Sequence, residues 1–242
     1  MKPQPLPSLI REGLGVGRPG TKRSVSDQPT PDPSLVREGR RFVTLWICCT
    51  PTPLHPLAAP PTSARMANDD LRALIRTIPD FPKPGIQFRD ITTLLLDPAG
   101  FAATIARMAS ATVGPVDLVA GIEARGFLFA AALAMPLKAG VLLIRKDGKL
   151  PGATIAEDYA LEYGEDRIVM HEDALVPGQR VLLVDDLIAT GGTARAAVRL
   201  LRKAGAEVTQ AQFVVDLPEL GGAAALRAQN IQVDSLVTFA GH

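Results

Sequence analysis

Apolar and polar positions fall into no sustained period before residue 71, and beyond it two rhythms take turns. An amphipathic run predicts a short helix over Leu71–Thr77, closed by Pro79, and the Pro-Lys-Pro-Gly stretch at 82–85 predicts an irregular loop. Asp97-Pro98 opens a helix over Ala99–Thr112. Leu118–Ala120 is a short strand that leads into a loop ending at Gly126, followed by an apolar helix over Phe127–Met135 and a strand over Val141–Ile144. Residues 147–167 are polar, glycine-bearing and rich in acids, too long for a simple connection, and long loops in compact enzymes are often lids. A buried strand at Val181–Val184, a helix over Ala194–Ala204, a strand over Val208–Val215 and a last one at Val237–Phe239 complete the order. Strands alternating with helices imply an α/β domain with a mostly parallel sheet covered on both faces.

Charge and composition set the remaining 65 residues apart. The chain carries a formal net charge of +1, which offers no argument for a nucleic-acid partner, but residues 1–65 hold nine Lys/Arg, four Asp/Glu and 12 of the 21 prolines. This stretch is expected to be disordered and, because Met66 precedes the first periodic run, to be either upstream of the true start or a dispensable tail; residues 66–242 are expected to form the domain. Val43–Cys49 is apolar but too short to span a bilayer, and neighbouring Cys48 and Cys49, the only cysteines, are an unlikely disulfide pair. Cytoplasm is the expected compartment. Gly15-Val16-Gly17-Arg18-Pro19-Gly20 matches a dinucleotide-binding pattern, but no strand precedes it and Pro19 interrupts it, so it is set aside. His55, His171 and His242 have no partner at metal-ligand spacing.

The densest chemistry lies in Val181-Leu182-Leu183-Val184-Asp185-Asp186-Leu187-Ile188-Ala189-Thr190-Gly191-Gly192-Thr193. Four apolar residues form a strand buried on both faces, and two carboxylates sit at its carboxyl end, where open α/β sheets bind ligands. Ala-Thr-Gly-Gly-Thr before a helix then makes a cradle of backbone N–H groups and hydroxyls for a phosphate dianion. It lacks the Gly-Lys-Ser/Thr ending of a nucleoside triphosphate loop. A glycosidase acid/base pair is disfavoured for Asp185 and Asp186, because neighbours on a strand point to opposite faces.

This run resembles the phosphoribosyl-pyrophosphate loop of the type I phosphoribosyltransferases. The stretches Phe81–Ile91, Ala120–Phe127, Arg145–Gly152 and Leu161–Gly164 occur in that family's order and are similar to its adenine-using branch, covering the chain from about Leu71 to its end. The resemblance implies a central mostly parallel sheet with a small hood and a flexible catalytic loop. It implies transfer of a phosphoribosyl group from phosphoribosyl pyrophosphate to adenine, giving AMP and pyrophosphate in purine salvage, with Mg²⁺ and as a homodimer. Ala189, Thr190, Gly191, Gly192 and Thr193 are then expected to hold the 5′-phosphate, and Asp185 and Asp186 the ribose hydroxyls, directly or through magnesium and its water. Arg125, Arg145, Lys146 and Lys149 are expected on the pyrophosphate, with the Ala124–Arg125 peptide bond cis as in the family. Glu162 is the expected proton carrier for the purine and Tyr163 its companion on the closing loop. Ile86, Phe88, Arg89 and Leu187 are expected around adenine, Phe88 by stacking and Arg89 through its planar donors. A family pattern of Asp-Ser is replaced by Glu123-Ala124. The same chemistry on xanthine or hypoxanthine is the near alternative. A nucleic-acid-binding sensor that has kept the phosphoribosyl site is the distant one, and it would need a helix-turn-helix or a basic face that this acidic body lacks.

Overall fold

The computed structural model describes residues 68–160 and 165–241. After a short helix α1 (Asp69–Ala73) come β1 (Arg76–Pro79), β2 (Gln87–Asp90), α2 (Thr92–Leu96), α3 (Pro98–Ala111), β3 (Leu118–Ile122), α4 (Gly126–Leu137) and β4 (Gly140–Lys146). The chain continues through β5 (Thr154–Ala160), β6 (Glu165–His171), β7 (Arg180–Ile188), α5 (Gly192–Lys203), β8 (Glu207–Asp216), a 3₁₀ turn at Pro218–Leu220, α6 (Gly222–Arg227) and β9 (Gln232–Thr238). Among the described residues no helix is long and apolar enough to cross a membrane.

Seven strands form one sheet in the order β5-β6-β4-β3-β7-β8-β9, parallel from β4 to β9. β7 lies inside the sheet between β3 and β8, and Val181, Leu182, Leu183 and Val184 are all buried because helices cover both faces. On one face Leu183, Ile188 and Phe213 pack with the inner side of α5, including Ala197, Leu200 and Leu201. On the other, Leu182, Val184 and Val119 pack with Phe129 and Leu133 of α4 and with Met108 of α3. The amphipathic spacing of α5 sends Arg195, Arg199, Arg202 and Lys203 to the opposite side from those alanines and leucines. Asp97 caps α3 by accepting the Gly100 N–H at 2.6 Å, as its Asp-Pro start predicts.

Two expectations are corrected. The helix predicted over Leu71–Thr77 stops at Ala73, and Arg76–Pro79 instead pairs antiparallel with Gln87–Asp90 as a separate two-stranded hood. Asp90 carries the reason: it binds the Arg76 guanidinium across the hairpin and accepts the Thr92 N–H at 2.9 Å. The Arg76 partner lies fourteen residues away, too far along the chain for a local period to register. The polar segment 147–167 is likewise not loop throughout, since Thr154–Ala160 and Glu165–His171 pair as a hairpin. Tyr159, Ile168 and Met170 enter the core beneath α5, and only Arg145 and Lys146 of β4 join the hairpin to the main sheet. Few apolar residues alternate there, so pairing and docking stabilise strands whose composition alone favours a loop.

Candidate active site

The carboxyl end of β7 supplies one wall of a cavity of about 490 Å³. Asp185, Asp186, Leu187, Ala189, Thr190, Gly191, Gly192 and Thr193 all line it. Gly191 takes a left-handed conformation, φ 74°, and caps α5, its carbonyl accepting the Arg195 N–H at 2.9 Å. The loop is braced from outside by α6, where the Gly222 N–H donates to the Ala189 carbonyl at 3.0 Å. The unpaired first amides of α5 and the positive end of its dipole therefore face the cavity beside two threonine hydroxyls.

The two aspartates are neighbours on one strand, yet both line the cavity: β3 pairs with β7 only as far as Val184, which leaves the strand open on that edge from Asp185 onward. Asp186 is 4% exposed, and its Oδ2 lies 2.8 Å from Arg125 Nε but out of line for a hydrogen bond, leaving that buried oxygen without a hydrogen-bonded partner. Asp185 Oδ1 accepts the Asp186 N–H at 2.9 Å. Burial of the Asp185 carboxyl, and after it the charge of Asp186, push its pKa well above the usual carboxylate range.

β3 delivers the facing wall. The Glu123 N–H still belongs to the sheet, donating to the Ile144 carbonyl at 2.9 Å, and the chain turns immediately afterwards. The cis peptide lies at Glu123–Ala124, directly after that last sheet hydrogen bond, and not at the expected Ala124–Arg125 bond. A Cβ on Gly126 would stand 2.9 Å from Asp185 Oδ1 and from the Val184 carbonyl oxygen; only a glycine lets α4 start so close to β7. That approach places Arg125, 40% exposed, against Asp186 and at 5.6 Å from the centre of the Phe88 ring.

The cationic run after β4 divides. Lys146 lines the cavity, while Arg145 and Lys149 do not. Arg145 turns to Glu123, with contacts of 3.2 and 3.3 Å, and donates to the Lys149 carbonyl at 2.9 Å. Glu123 also accepts the Lys146 N–H at 3.0 Å; burial would raise its pKa, but that N–H and Arg145 together hold it below the ordinary value.

Ile86, Phe88 and Arg89 sit on the hood outside the cavity lining. Phe88 meets Phe81 edge-on at 5.2 Å and connects to the cavity through Arg125. Both backbone polar groups of Ile86 are engaged within the 81–86 turn, with Phe81 and Lys83. Arg89 donates to Thr77 Oγ1 at 2.6 Å and to the Ala240 carbonyl at 3.0 Å, and its guanidinium stacks over Phe239 at 4.5 Å. Glu162 and Tyr163 lie outside the described residues.

Three lining residues with ionisable side chains were absent from the expected set: Glu123, Tyr159 and Asp166. Tyr159 and Asp166 are cross-strand partners on the hairpin, so recognising its weak alternation would have placed them together. Glu123 and Asp166 with Asp185 and Asp186 make four carboxylates against two cations, Arg125 and Lys146, around a phosphate cradle.

Comparison with known proteins identifies similar chains. Residues 93–235 match the phosphoribosyl transferase domain family. Adenine phosphoribosyltransferase of Erythrobacter litoralis is 59% identical over 178 residues, 73% of this chain and 100% of the relative. That of Rhodopseudomonas palustris is 57% identical over 175 residues, covering 72% of this chain and 97% of the relative. Among solved structures, adenine phosphoribosyltransferase from Rhodothermus marinus superposes with a TM-score of 0.68 at 46% identity, covering 72% of this chain and 99% of that one. The enzyme from Saccharomyces cerevisiae, complexed with an imino-altritol bisphosphate and adenine, has a TM-score of 0.65 at 35% identity, over 70% of this chain and 97% of that one.

Proposed function

The chain belongs to the adenine phosphoribosyltransferases, and from that premise we propose how its cavity serves the transfer of a 5-phosphoribosyl group from phosphoribosyl pyrophosphate to adenine, giving AMP and pyrophosphate in purine salvage. One observation carries the assignment of roles: a helix-capped glycine loop, two carboxylates and an arginine from a second strand end share one cavity. The 5′-phosphate sits on Ala189–Thr193, held by the amides at the start of α5 and by Thr190 and Thr193. Asp185 and Asp186 face the ribose hydroxyls and offset positive charge as C1 takes oxocarbenium character. Arg125, freed from Asp186, and Lys146 take the departing pyrophosphate, and Arg145 braces that wall through Glu123 with Lys149 beyond it.

Magnesium fits this residue set. Asp186 offers a buried oxygen without a hydrogen-bonded partner, and a polyanion entering beside four carboxylates needs added positive charge. No group of three or more His, Cys, Asp or Glu side chains that could hold a metal occurs among the described residues, so Asp185 and Asp186 would share the ion with substrate and water. Bound there, Mg²⁺ would neutralise pyrophosphate as it leaves.

Adenine stacks on Phe88, with Ile86, Arg89 and Leu187 framing it. Arg89 holds the hood to Phe239 and Ala240, which steadies Phe88. Glu162 exchanges the purine proton, and Tyr163 closes with it. A homodimer in the cytoplasm is the assembly the family implies. Met135, 80% exposed, and Leu128 lie on the outer side of α4, and Val141 and Leu143 are exposed on neighbouring β4; a second copy would cover this apolar surface.

The test offers each purine in turn with phosphoribosyl pyrophosphate and Mg²⁺. Adenine presents an amine donor where hypoxanthine and guanine present a carbonyl, and a site matched to that donor discriminates by roughly 10⁴ or more in kcat/KM. Comparable efficiency with guanine or hypoxanthine would overturn the base assignment while leaving the phosphoribosyl site standing.

A further inference from the structure

A cavity built for phosphates gains nothing obvious from the carboxylate of Asp166. Its Oδ2 lies 3.1 Å from Lys146 Nζ and accepts the Tyr159 hydroxyl at 2.9 Å, and its Oδ1 accepts the Arg167 N–H at 2.9 Å. Tyr159 is 7% exposed. Lys146, Asp166 and Tyr159 thus form one polar chain from the end of β4 across the hairpin, and all three line the cavity together with the phosphate cradle. Asp166 is fixed by three partners, whereas Lys146 is a point charge on a flexible four-carbon stem and remains more than half exposed. The carboxylate raises the Lys146 pKa and keeps the ammonium charged. Of the two partners, the lysine is the one free to move.

We propose that Asp166 is a positioning residue that acts as an internal stand-in anion: it holds Lys146 at the cavity wall and yields it to the pyrophosphate of the substrate, and so sets the affinity for phosphoribosyl pyrophosphate. This rests on the assignment of Lys146 to pyrophosphate above. The substrate must compete with Asp166 for the same ammonium, so binding carries a penalty equal to the strength of that pair. For a partly exposed pair the penalty corresponds to roughly a two- to fivefold change in affinity.

The experiment measures steady-state kinetics of the full chain with phosphoribosyl pyrophosphate varied at saturating adenine and Mg²⁺. Asp166→Asn keeps the shape and the Tyr159 bond but weakens the hold on Lys146. KM for phosphoribosyl pyrophosphate should fall about two- to fivefold, inhibition by added pyrophosphate should tighten by a similar factor, and KM for adenine should stay unchanged. Asp166→Ser is the second variant, with the same expected direction should the first fold poorly. Lys146→Gln should raise KM for phosphoribosyl pyrophosphate, and in that background Asp166→Asn should have no further effect. An equal fall in KM without the lysine would show that Asp166 acts by its field on the substrate, and would overturn the proposal. Unchanged KM in both Asp166 variants, with Lys146→Gln still impaired, would overturn it while sparing the pyrophosphate assignment. Unchanged KM in Lys146→Gln would remove that assignment itself, and the proposal with it.

Discussion

Replacing Gly191 by alanine separates two physical demands that meet in the phosphate cradle. Its φ of 74° places an L side chain in the left-handed region, which costs about 1–2 kcal/mol. An added Cβ would also stand 2.8 Å from Gly222 Cα and 3.0 Å from its carbonyl oxygen, and both are backbone atoms that no side-chain rotation can clear. Forced overpacking adds about 1–3 kcal/mol, for a loss of about 2–5 kcal/mol in all. Gly221 provides the control thirty residues along: its φ is 76°, but nothing lies within 4 Å of an added Cβ. Gly221→Ala should therefore lose only about 1–2 kcal/mol. At about 2–4 °C per kcal/mol for a domain of this size, thermal melting should drop by roughly 4–20 °C in Gly191→Ala and by roughly 2–8 °C in Gly221→Ala. Moving the Gly191 backbone also displaces the amides at the start of α5, so KM for phosphoribosyl pyrophosphate should rise about tenfold or more in the first variant and stay within about twofold in the second. Melting followed by circular dichroism and initial rates over a range of phosphoribosyl pyrophosphate would read both. Equal melting losses and equal KM values would refute the argument that contact with Gly222 sets the shape of the cradle.

Changing Asp185 and Asp186 together to asparagine should lower turnover about a hundredfold or more while melting holds or rises, because burial and mutual repulsion already disfavour charge on Asp185; unaltered turnover with an ordinary magnesium requirement would refute their role. In the hood, the Thr92 N–H and then Arg76 hold Asp90 down to about 2, from a usual 3.8. A carboxylate depressed on folding stabilises above the unfolded pKa, and that contribution disappears as pH falls from 3.8 through about 2. With Arg76 more than half exposed, Asp90→Asn should lose about 1–2 kcal/mol at pH 7 in denaturant unfolding, and its gap from the native chain should close towards pH 2; a gap that persists at pH 2 would show that shape, not charge, carries the effect.

What the sequence by itself determined is what short range can encode. The apolar run of β7 followed by Asp185, Asp186 and the Ala189–Thr193 loop was legible because a buried strand, a turn and a helix start are written in consecutive residues. The α/β alternation followed from the same local periods. Tertiary structure alone decided which charges meet. Arg125 reaches Asp186 across sixty residues because β3 and β7 are parallel neighbours and Gly126 admits α4 against the strand end. The run of cations after β4 looked uniform, but strand alternation sent Lys146 into the cavity and Arg145 to Glu123. Tyr159 and Asp166 left only a faint signal for the opposite reason: their strands have little apolar alternation and owe their order to pairing with each other and docking beneath α5. Local sequence encodes conformation through backbone sterics and hydrophobic period, whereas an ion pair depends on the register of strands far apart in the chain, which only the packed sheet specifies.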